Sequence, residues 1–321
     1  MTRRVLAALL TIAGIAATPA QAQYPDRPVK LIVPFAAGGP TDALARNLAE
    51  GLRIHLSKNV VIENKAGAGA NIGAEFVANA PADGYTLLFG TSGPLAINVS
   101  LFSKINYDPI KSFDPVIMIG KIPNVLAANP EVPAKTLQEL IAYAKSGKKL
   151  SYGSSGVGAS THLAGELLNS RAGTELLHVP YRGAAPAMND VIGGQVPLII
   201  TDAFVASSQI KAGTIRALGV TTKERTALLP DVPTFDEQGL KDFDSSVFFG
   251  VVVPKGTPPE IVATLNRAFV AALKEPMVKS AIDTQGMILA PSNTPEYLKD
   301  FMTAEIPRSR ELIEKLGIPK Q

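Results

Sequence analysis

Hydrophobic residues follow two alternating patterns along the chain, and together these patterns predict an α/β protein. Short runs rich in β-branched residues and bounded by Gly, Pro, Asn or Asp predict strands at residues 30–35, 60–63, 86–89, 115–128, 150–152, 198–201, 215–221 and 247–253. Apolar residues repeated every three or four positions predict helices at residues 41–53, 136–145, 161–169, 259–273 and 294–316. Strands that alternate with helices in this way predict parallel sheets covered by helices on both faces.

The run at residues 115–128 is unusually long for one strand, and it bears on how the chain is divided. The chain has 321 residues. That length is about twice the ~150 residues of an average domain, so one large domain or two ordinary domains are expected. No Gly/Ser-rich linker is present, so if there are two domains we expect the chain to cross between them on strands. Residues 115–128 are the first candidate for such a crossing.

The first residues have the pattern of a secretory signal peptide. Two arginines near the start precede an apolar stretch at residues 5–17, and residues 20–22 (Ala-Gln-Ala) form a small-x-small cleavage site. The apolar stretch is shorter than the ~17–25 residues that a membrane-spanning helix needs. We therefore expect export by the general secretory route, cleavage after Ala22, and a periplasmic mature protein that begins near Gln23.

Composition excludes several functional classes. Lys and Arg number 31 against 28 Asp and Glu, with no basic run, so we expect neither nucleic acid nor an anionic membrane as a partner. Cysteine is absent, which removes disulfides, thiol nucleophiles and iron–sulfur ligands. The three histidines, His55, His162 and His178, are too scattered to suggest a metal centre, and we expect no cofactor.

Residues 34–42, called the first loop below, are a candidate anion site. A predicted strand ends in small residues, including Gly38 and Gly39, and a helix then begins at Pro40 or Thr41. The N–H groups and the partial positive charge of a helix N-terminus can bind a carboxylate or phosphate without a lysine. The alternative is an ordinary strand-to-helix turn that Thr41 caps, with Asp42 in the first helical turn.

Residues 152–162, called the second loop below, repeat this pattern. A predicted strand runs into Gly and Ser, and a helix then begins with Ser160 or Thr161 as its N-cap. Two such loops facing each other across a cleft could hold a ligand with an acid at each end, and the Ser155, Ser160 and Thr161 hydroxyls would add neutral donors. His162 is either a further donor in the cleft or a solvated residue of the first helical turn.

Motifs of enzymes are matched poorly. The nucleophile elbow G-x-S-x-G fails twice, because the segment from Gly153 ends in Val157 and the segment from Gly90 ends in Pro94. Residues 67–73 place their third Gly one position too late for a dinucleotide fingerprint. A hydrolase that uses Ser155 or Ser160 with His162 remains an alternative, but no acidic residue is identified to orient that histidine. We therefore expect a binding protein and no catalysis.

Nine segments, in order along the mature chain, resemble a known family. They are residues 34–42 with Arg46, 63–69, 83–87, 152–163, 178–183, 193–196, 216–218, 229–234 and 254–258. The series is similar to that of the solute-binding proteins of tripartite tricarboxylate transporters, often called the Bug family. One segment alone would be weak evidence for the family, whereas nine segments in the same order after a signal peptide are specific evidence for it.

The resemblance implies a two-lobed α/β periplasmic-binding-protein fold, similar to type II, with the ligand cleft between the lobes. We expect residues 23–124 and 246–321 to form lobe one and residues 125–245 to form lobe two. The implied function is capture of a small carboxylated solute, namely a dicarboxylate, an amino dicarboxylate or an aromatic acid, by a monomer that closes around it. The implied partners are membrane permease subunits, and the alternative is a sensor that feeds a signalling partner.

The resemblance also implies which residues contact the ligand. From lobe one these are Phe35, Ala36, Gly38, Gly39, Thr41 and Ser92. From lobe two they are Ser155, Gly158, Ser160, Thr161, Tyr181 and Asp202. For Asp202 the alternative is an N-cap of a helix at residues 203–211. The chain departs from the family at Phe248, where Trp is usual, so no indole N–H is available there.

Overall fold

Ten strands and ten α-helices lie within residues 24–321, the part of the chain that the computed structural model describes. The predicted signal peptide and its cleavage site lie outside the described residues. The strands are β1 (Val29–Val33), β2 (Val60–Asn64), β3 (Thr86–Thr91), β4 (Phe113–Ala128), β5 (Ser151–Ser154), β6 (Leu177–Pro180), β7 (Leu198–Asp202), β8 (Arg216–Val220), β9 (Ser246–Pro254) and β10 (Ile288–Leu289). Every predicted strand is present, and β6 and β10 were not predicted.

The helices cover both faces of the sheet that these strands form. They are α1 (Pro40–Leu56), α2 (Asn71–Ala78), α3 (Asn98–Leu101), α4 (Leu137–Lys145), α5 (Ser160–Ala172), α6 (Ala184–Ile192), α7 (Ala203–Lys211), α8 (Pro259–Ala272), α9 (Pro276–Thr284) and α10 (Pro295–Lys315). A 3-10 turn at Ala68–Ala70 precedes α2, and a π-helical turn at Gly93–Ile97 precedes α3. All five predicted helices are present.

The strands form one sheet in the order β2-β1-β3-β9-β4-β7-β5-β6, and β4 belongs to both of its halves. Residues 113–123 of β4 pair with β9, whereas residues 124–128 pair with β7 and β8. We call the part around β1, β2, β3 and β9 the first half and the part around β5 to β8 the second half. The long strand predicted at residues 115–128 therefore does run from one half into the other.

The prediction of purely parallel sheets was wrong. β1, β2 and β3 are parallel to one another, and so are β5, β6 and β7. However, β9 is antiparallel to β3 and β4, and β4 is antiparallel to β7 and β8. The reason is that β4 leads out of the first half and β9 leads back into it, so these two long strands run in opposite directions.

Apolar side chains fill both faces of each half, which explains why the strands have nearly continuous hydrophobic sequences. In β1, Val29, Leu31 and Val33 pack under α1 and α8, while Ile32 points to the other face, under α2 and α10. β4 alternates in the same way within the second half. Because the sheet is covered on both sides, polar residues collect at the ends of its strands, where the two loops lie.

Candidate ligand-binding site

The first loop joins β1 to α1 and leaves the N-terminus of α1 without a side-chain cap. The helix begins at Pro40, as one of the two predicted starts had it, and its N-cap is Gly39. The alternative in which Thr41 caps the helix was wrong, because Pro40 occupies the first helical position and Thr41 already lies inside the helix. Ala36 and Gly38 are exposed at the tip of the loop, and Phe35 packs against the core.

The buried carboxylate of Asp42 stabilises the first loop through hydrogen bonds. The Asp42 carboxylate accepts hydrogen bonds from the Gly38 N–H at 2.9 Å, from Arg46 Nε at 2.9 Å and from Asn64 Nδ2 at 2.9 Å. Burial acts to raise the pKa of Asp42, but the hydrogen bonds from Arg46, Gly38 and Asn64 outweigh it and hold that pKa below its usual value. The Gly38 amide is therefore engaged within the protein, and Gly38 shapes the loop at φ +83°.

The second loop joins β5 to α5, and its helix also begins without a side-chain cap. The N-cap of α5 is Ala159, so the prediction that Ser160 or Thr161 caps the helix was wrong. The Thr161 side chain turns back into the loop instead. Its Oγ1 accepts from the Ser155 N–H at 3.2 Å and lies 2.9 Å from Ser155 Oγ.

Two histidines stack on each other at the second loop, of which His162 is the last residue, whereas His178 belongs to β6. His162 is 5% exposed, so the interpretation that it is solvated was wrong. Its ring stacks on that of His178, with centroids 3.9 Å apart and planes 16° apart. His162 Nδ1 accepts from the Gly158 N–H at 3.3 Å, and His178 Nε2 lies 2.6 Å from Ser154 Oγ.

Burial keeps both of these imidazoles neutral near neutral pH. It lowers the pKa of His162 to about 4. Burial, together with the repulsion that a charge on His162 would exert, lowers the pKa of His178 to about 3. Sequence reasoning gave His178 no role, because its contact with Ser154 forms only when β5 and β6 pair.

Tyr181 and Ser92 are engaged in structural contacts beside the two loops. The Tyr181 hydroxyl donates to Asp190 Oδ2 at 2.6 Å, and burial together with this bond raises the pKa of Tyr181 to about 12. Ser92 is buried, and its Oγ accepts from the Phe248 N–H at 2.9 Å. That bond ties the end of β3 to β9.

Asp202 ends β7 and lies directly opposite Asn124 of β4. It occupies the N-cap position of α7, but its side chain makes no capping hydrogen bond, so the capping alternative was wrong. Buried surroundings raise the pKa of Asp202 to about 6, although the residue itself is partly exposed. Directly opposed residues of antiparallel strands point to the same face, so the two side chains are neighbours.

Asn124 is a polar residue that sequence reasoning missed. It is 0% exposed, and neither Nδ2 nor Oδ1 has a hydrogen-bond partner among the described residues. Leaving a buried polar group unpaired costs about 1–3 kcal/mol of folding free energy. A ligand or an ordered water that bonds to the Asn124 amide would remove this cost. One signal could have found it, since Asn124 is a lone amide within the apolar run of β4.

The two halves of the molecule touch beside the second loop. Gly158 has φ +80°, and a Cβ there would lie 2.5 Å from Leu101 Cδ2 and 3.5 Å from Asn98 Oδ1. Leu101 and Ile97 from the first half pack with Leu163 from the second. The second loop therefore rests against the segment that follows β3.

The structure brings some predicted contact residues together and leaves others apart. Ser92 and Ser160 line one cavity of about 220 Å³ between α5 and α10. Ser155 and Thr161 contact each other through their hydroxyls, and Asp202 lies opposite Asn124 in the sheet. Among the described residues, no hydrogen bond links the first loop to the second.

Among the described residues, none of the helices is both long and apolar enough to span a membrane.

A comparison with known protein families identifies the family of this chain. The sequence profile of the tripartite tricarboxylate transporter family receptor matches residues 44–318. The chain belongs to this receptor family. The resemblance drawn from the nine sequence segments is thereby confirmed.

Three solved structures are similar over nearly the whole chain. The periplasmic binding protein BugD is 39% identical, with a TM-score of 0.84, and the match covers 93% of this chain and 100% of that one. A Rhodopseudomonas palustris protein solved with adipate is 37% identical, with a TM-score of 0.86 and the same coverage of 93% and 100%. MatC from the same organism, solved with bound malate, is 33% identical, with a TM-score of 0.83 and coverage of 90% and 100%.

These neighbours confirm two predictions about the receptor. The mixed sheet with helices on both faces is the fold of a periplasmic binding protein. The family and its structural neighbours are binding proteins, so the expectation of a non-enzyme is also confirmed. The hydrolase alternative is overturned, which agrees with the fact that His162 uses Nδ1 to accept from a backbone amide rather than to bind an acid.

Proposed function

We propose that this receptor captures a small dicarboxylate between the first and the second loop. The observation that carries the proposal is that α1 and α5 both begin without a side-chain cap. The amides of Gly39, Thr41 and Ser160 have no acceptor within the described residues. Free amides and the partial positive charge of each helix N-terminus suit a carboxylate at either end of the ligand.

The ligands of the structural neighbours support this class. Adipate and malate, in the two Rhodopseudomonas palustris structures, are both dicarboxylates, although their chain lengths differ. Backbone amides and hydroxyls bind a carboxylate without fixing the rest of the ligand. Phe35, Ala36 and Ser155 would complete the contacts around the two acids.

Asp202 and Asn124 would then select among dicarboxylates. An ionised carboxylate attracts an ammonium group 4 Å away by about 4 kcal/mol at an effective dielectric of 20, and it repels a carboxylate by the same amount. Asn124 offers an amide that can both donate and accept. An amino or hydroxy dicarboxylate would satisfy this pair better than a plain dicarboxylate or an aromatic acid.

Capture would proceed by closure of two lobes, with residues 23–124 and 246–321 in lobe one and 125–245 in lobe two. The change of partner within β4, between Pro123 and Asn124, and the start of β9 at Ser246 support these boundaries. A ligand that contacts both lobes favours the closed state by its difference in affinity for the two states. The closed receptor, cleaved after Ala22 in the periplasm, would deliver the ligand to permease subunits.

Thermal unfolding with adipate, malate, succinate and aspartate tests the proposal. At a hundredfold excess over Kd, a bound ligand stabilises the protein by about 3 kcal/mol. Gly39→Val should abolish this stabilisation, because a Cβ at Gly39 has room in the fold, with its nearest neighbour, Ala36 O, at 3.7 Å, yet would obstruct the amides. Gly193→Val, at the end of α6, is the control. No stabilisation by any of the four acids would contradict the proposal.

Transport needs a separate test, because a receptor can serve uptake or sensing. Cells that lack the receptor should lose uptake of the labelled dicarboxylate and regain it when the gene is restored. Unchanged uptake, together with ligand binding by the pure protein, would contradict delivery to a permease and favour a sensing partner.

A further inference from the structure

Side chains of buried residues set the shape of the second loop. The Gly158 N–H donates to His162 Nδ1, and the Gly156 N–H donates to Ser154 Oγ at 3.1 Å. Both glycines have positive φ, at +80° for Gly158 and +135° for Gly156. Hydrogen bonds at the two glycine amides stabilise this conformation. The Gly158 amide bonds directly to the His162 imidazole, and the Gly156 amide bonds to Ser154, which in turn contacts the His178 imidazole.

These contacts fix the tautomer of His162. A ring nitrogen that accepts from a backbone N–H carries no proton, so the neutral His162 has its proton on Nε2. Ser154 Oγ accepts from Gly156, which leaves its own proton free to donate to His178 Nε2 or to the Gly156 carbonyl. The loop in its observed shape therefore requires an unprotonated Nδ1 on His162.

The surroundings of the stacked pair contain few charges. From β5, the Tyr152 ring stacks on His178, and its hydroxyl donates to Glu166 Oε1 of α5 at 2.8 Å. Asp202 ends the neighbouring strand β7. Neither carboxylate is hydrogen-bonded to an imidazole. The residues of α3 that meet the second loop, Asn98 and Leu101, are uncharged.

We propose that His162 and His178 are positioning residues that hold the second loop in its ligand-binding shape, and that protonation of His162 releases the loop and with it the ligand. The proposal rests on the proposed function of this loop. A protonated Nδ1 would present its hydrogen to the Gly158 N–H, so two donors would face each other at 3.3 Å. The loop must then turn Gly158 away, which also disturbs its contact with Leu101.

Nuclear magnetic resonance of the unliganded receptor tests the loop geometry without any ligand. The Gly158 amide resonance should titrate with the imidazole of His162 as the pH is lowered from neutral to about 4, the pKa to which burial lowers that imidazole. In His162→Asn, the Asn Oδ1 lies near the position of Nδ1 and accepts a hydrogen bond but cannot titrate. The Gly158 resonance of this variant should not show the titration, and a titration identical to that of the wild type would overturn the proposal.

Calorimetric titration with malate or adipate tests the consequence for binding. His162→Leu, which lacks an acceptor, should weaken binding at least about tenfold at neutral pH, and His162→Asn should restore most of the loss. Below its pKa, a group that must be deprotonated for binding weakens affinity about tenfold per pH unit. The ratio of wild-type to His162→Asn affinity should therefore fall in acid, and the ligand's own titration cancels in that ratio.

His55→Asn is the matched control, because the remaining histidine lies on α1 and contacts Glu275, away from both loops. The affinity of His55→Asn for malate or adipate should equal that of the wild type at every pH. Full affinity in His162→Leu, or an acid loss in His162→Asn equal to that of the wild type, would overturn the positioning role. If the wild type bound neither acid, the proposed function would fail, whereas the resonance experiment would still decide whether His162 holds the loop.

Discussion

Asp202 and Asn124 face each other across β7 and β4, and neither side chain has a hydrogen-bond partner among the described residues. The buried amide of Asn124, left unpaired, is costly for folding alone. Such a cost is typical of a functional site, where a ligand or ordered water completes the contacts. Asp202 is therefore a good position at which to separate binding from stability.

Replacing Asp202 with Asn is expected to weaken binding of aspartate relative to succinate. The substitution removes the attraction for the ligand ammonium and the repulsion of a ligand carboxylate. The ratio of the two affinities, measured by calorimetric titration at neutral pH, should fall by at least about tenfold. Asp231→Asn, on an exposed loop, is the control. An unchanged ratio of aspartate to succinate affinity in Asp202→Asn would contradict a role of Asp202 in ligand selection.

The same substitution is expected to raise the free energy of unfolding of the unliganded receptor. Burial raises the pKa of Asp202 to about 6, whereas an unfolded chain has about 3.9. Between these values the folded state binds more protons, so the contribution of Asp202 to stability is present at low pH and is lost as the pH rises through about 6.

Asp202→Asn should therefore be more stable at neutral pH by about 1–3 kcal/mol in denaturant unfolding, and the difference should shrink towards about pH 4. A carboxylate that capped α7 would behave in the opposite way, because its loss would lower stability at neutral pH. A destabilised Asp202→Asn would thus contradict the uncapped arrangement.

Acid is expected to destabilise the receptor through the stacked histidines. Their pKa values of about 4 for His162 and about 3 for His178 lie below the ~6.5 of an unfolded chain. The unfolded state therefore binds more protons in this range. The stabilising contribution of the pair is complete above about pH 6.5 and is lost as the pH falls towards the folded values.

Each histidine adds up to about 1.4 kcal/mol per pH unit to this loss. His162→Asn should remove its share of the slope when the free energy of unfolding is measured from neutral pH to about pH 4. His55→Asn, whose histidine is more exposed, serves as the reference. If His162→Asn and the wild type lost stability at the same rate, His162 would not be a buried neutral imidazole.

Hydrophobic patterning predicted the elements well and their directions less well. Residues 115–128 form the long strand β4 because nearly every position is buried on one face or the other. The same continuous pattern in residues 247–253 could not reveal that β9 runs antiparallel to both neighbours. A continuous hydrophobic run indicates that a strand is buried on both faces, but it does not indicate whether the strand is parallel or antiparallel to its neighbours.

The chemistry of the site was predictable where it is local in sequence. Small residues before α1 and α5 indicated both loops, because a helix N-terminus needs few neighbours to bind an anion. The role of His178 and the contact of Gly158 with Leu101 were not predictable. Each depends on a partner from a distant element that only the folded sheet brings close.

The contact between Gly158 and Leu101 gives a further prediction on closure of the two halves. Gly158→Ala is expected to weaken dicarboxylate binding more than it lowers stability. Its new methyl group would lie 2.5 Å from Leu101 Cδ2, across the junction between the second loop and the first half. If the two lobes close as proposed, open states in which the junction separates would relieve the clash, and the substitution would shift the equilibrium away from the ligand-binding state.

Gly213→Ala is the matched control for Gly158→Ala. Gly213 has φ +73°, close to the +80° of Gly158, but a Cβ there has nothing within 4 Å. Both variants place an L-residue at a similar positive φ, at a cost of about 1–2 kcal/mol each, so the difference between them isolates the clash. Binding of malate or adipate should weaken only in Gly158→Ala, and Leu101→Ala in that background should recover part of the affinity by making room. Equal affinities in Gly158→Ala and Gly213→Ala would show that the contact with Leu101 plays no part in closure.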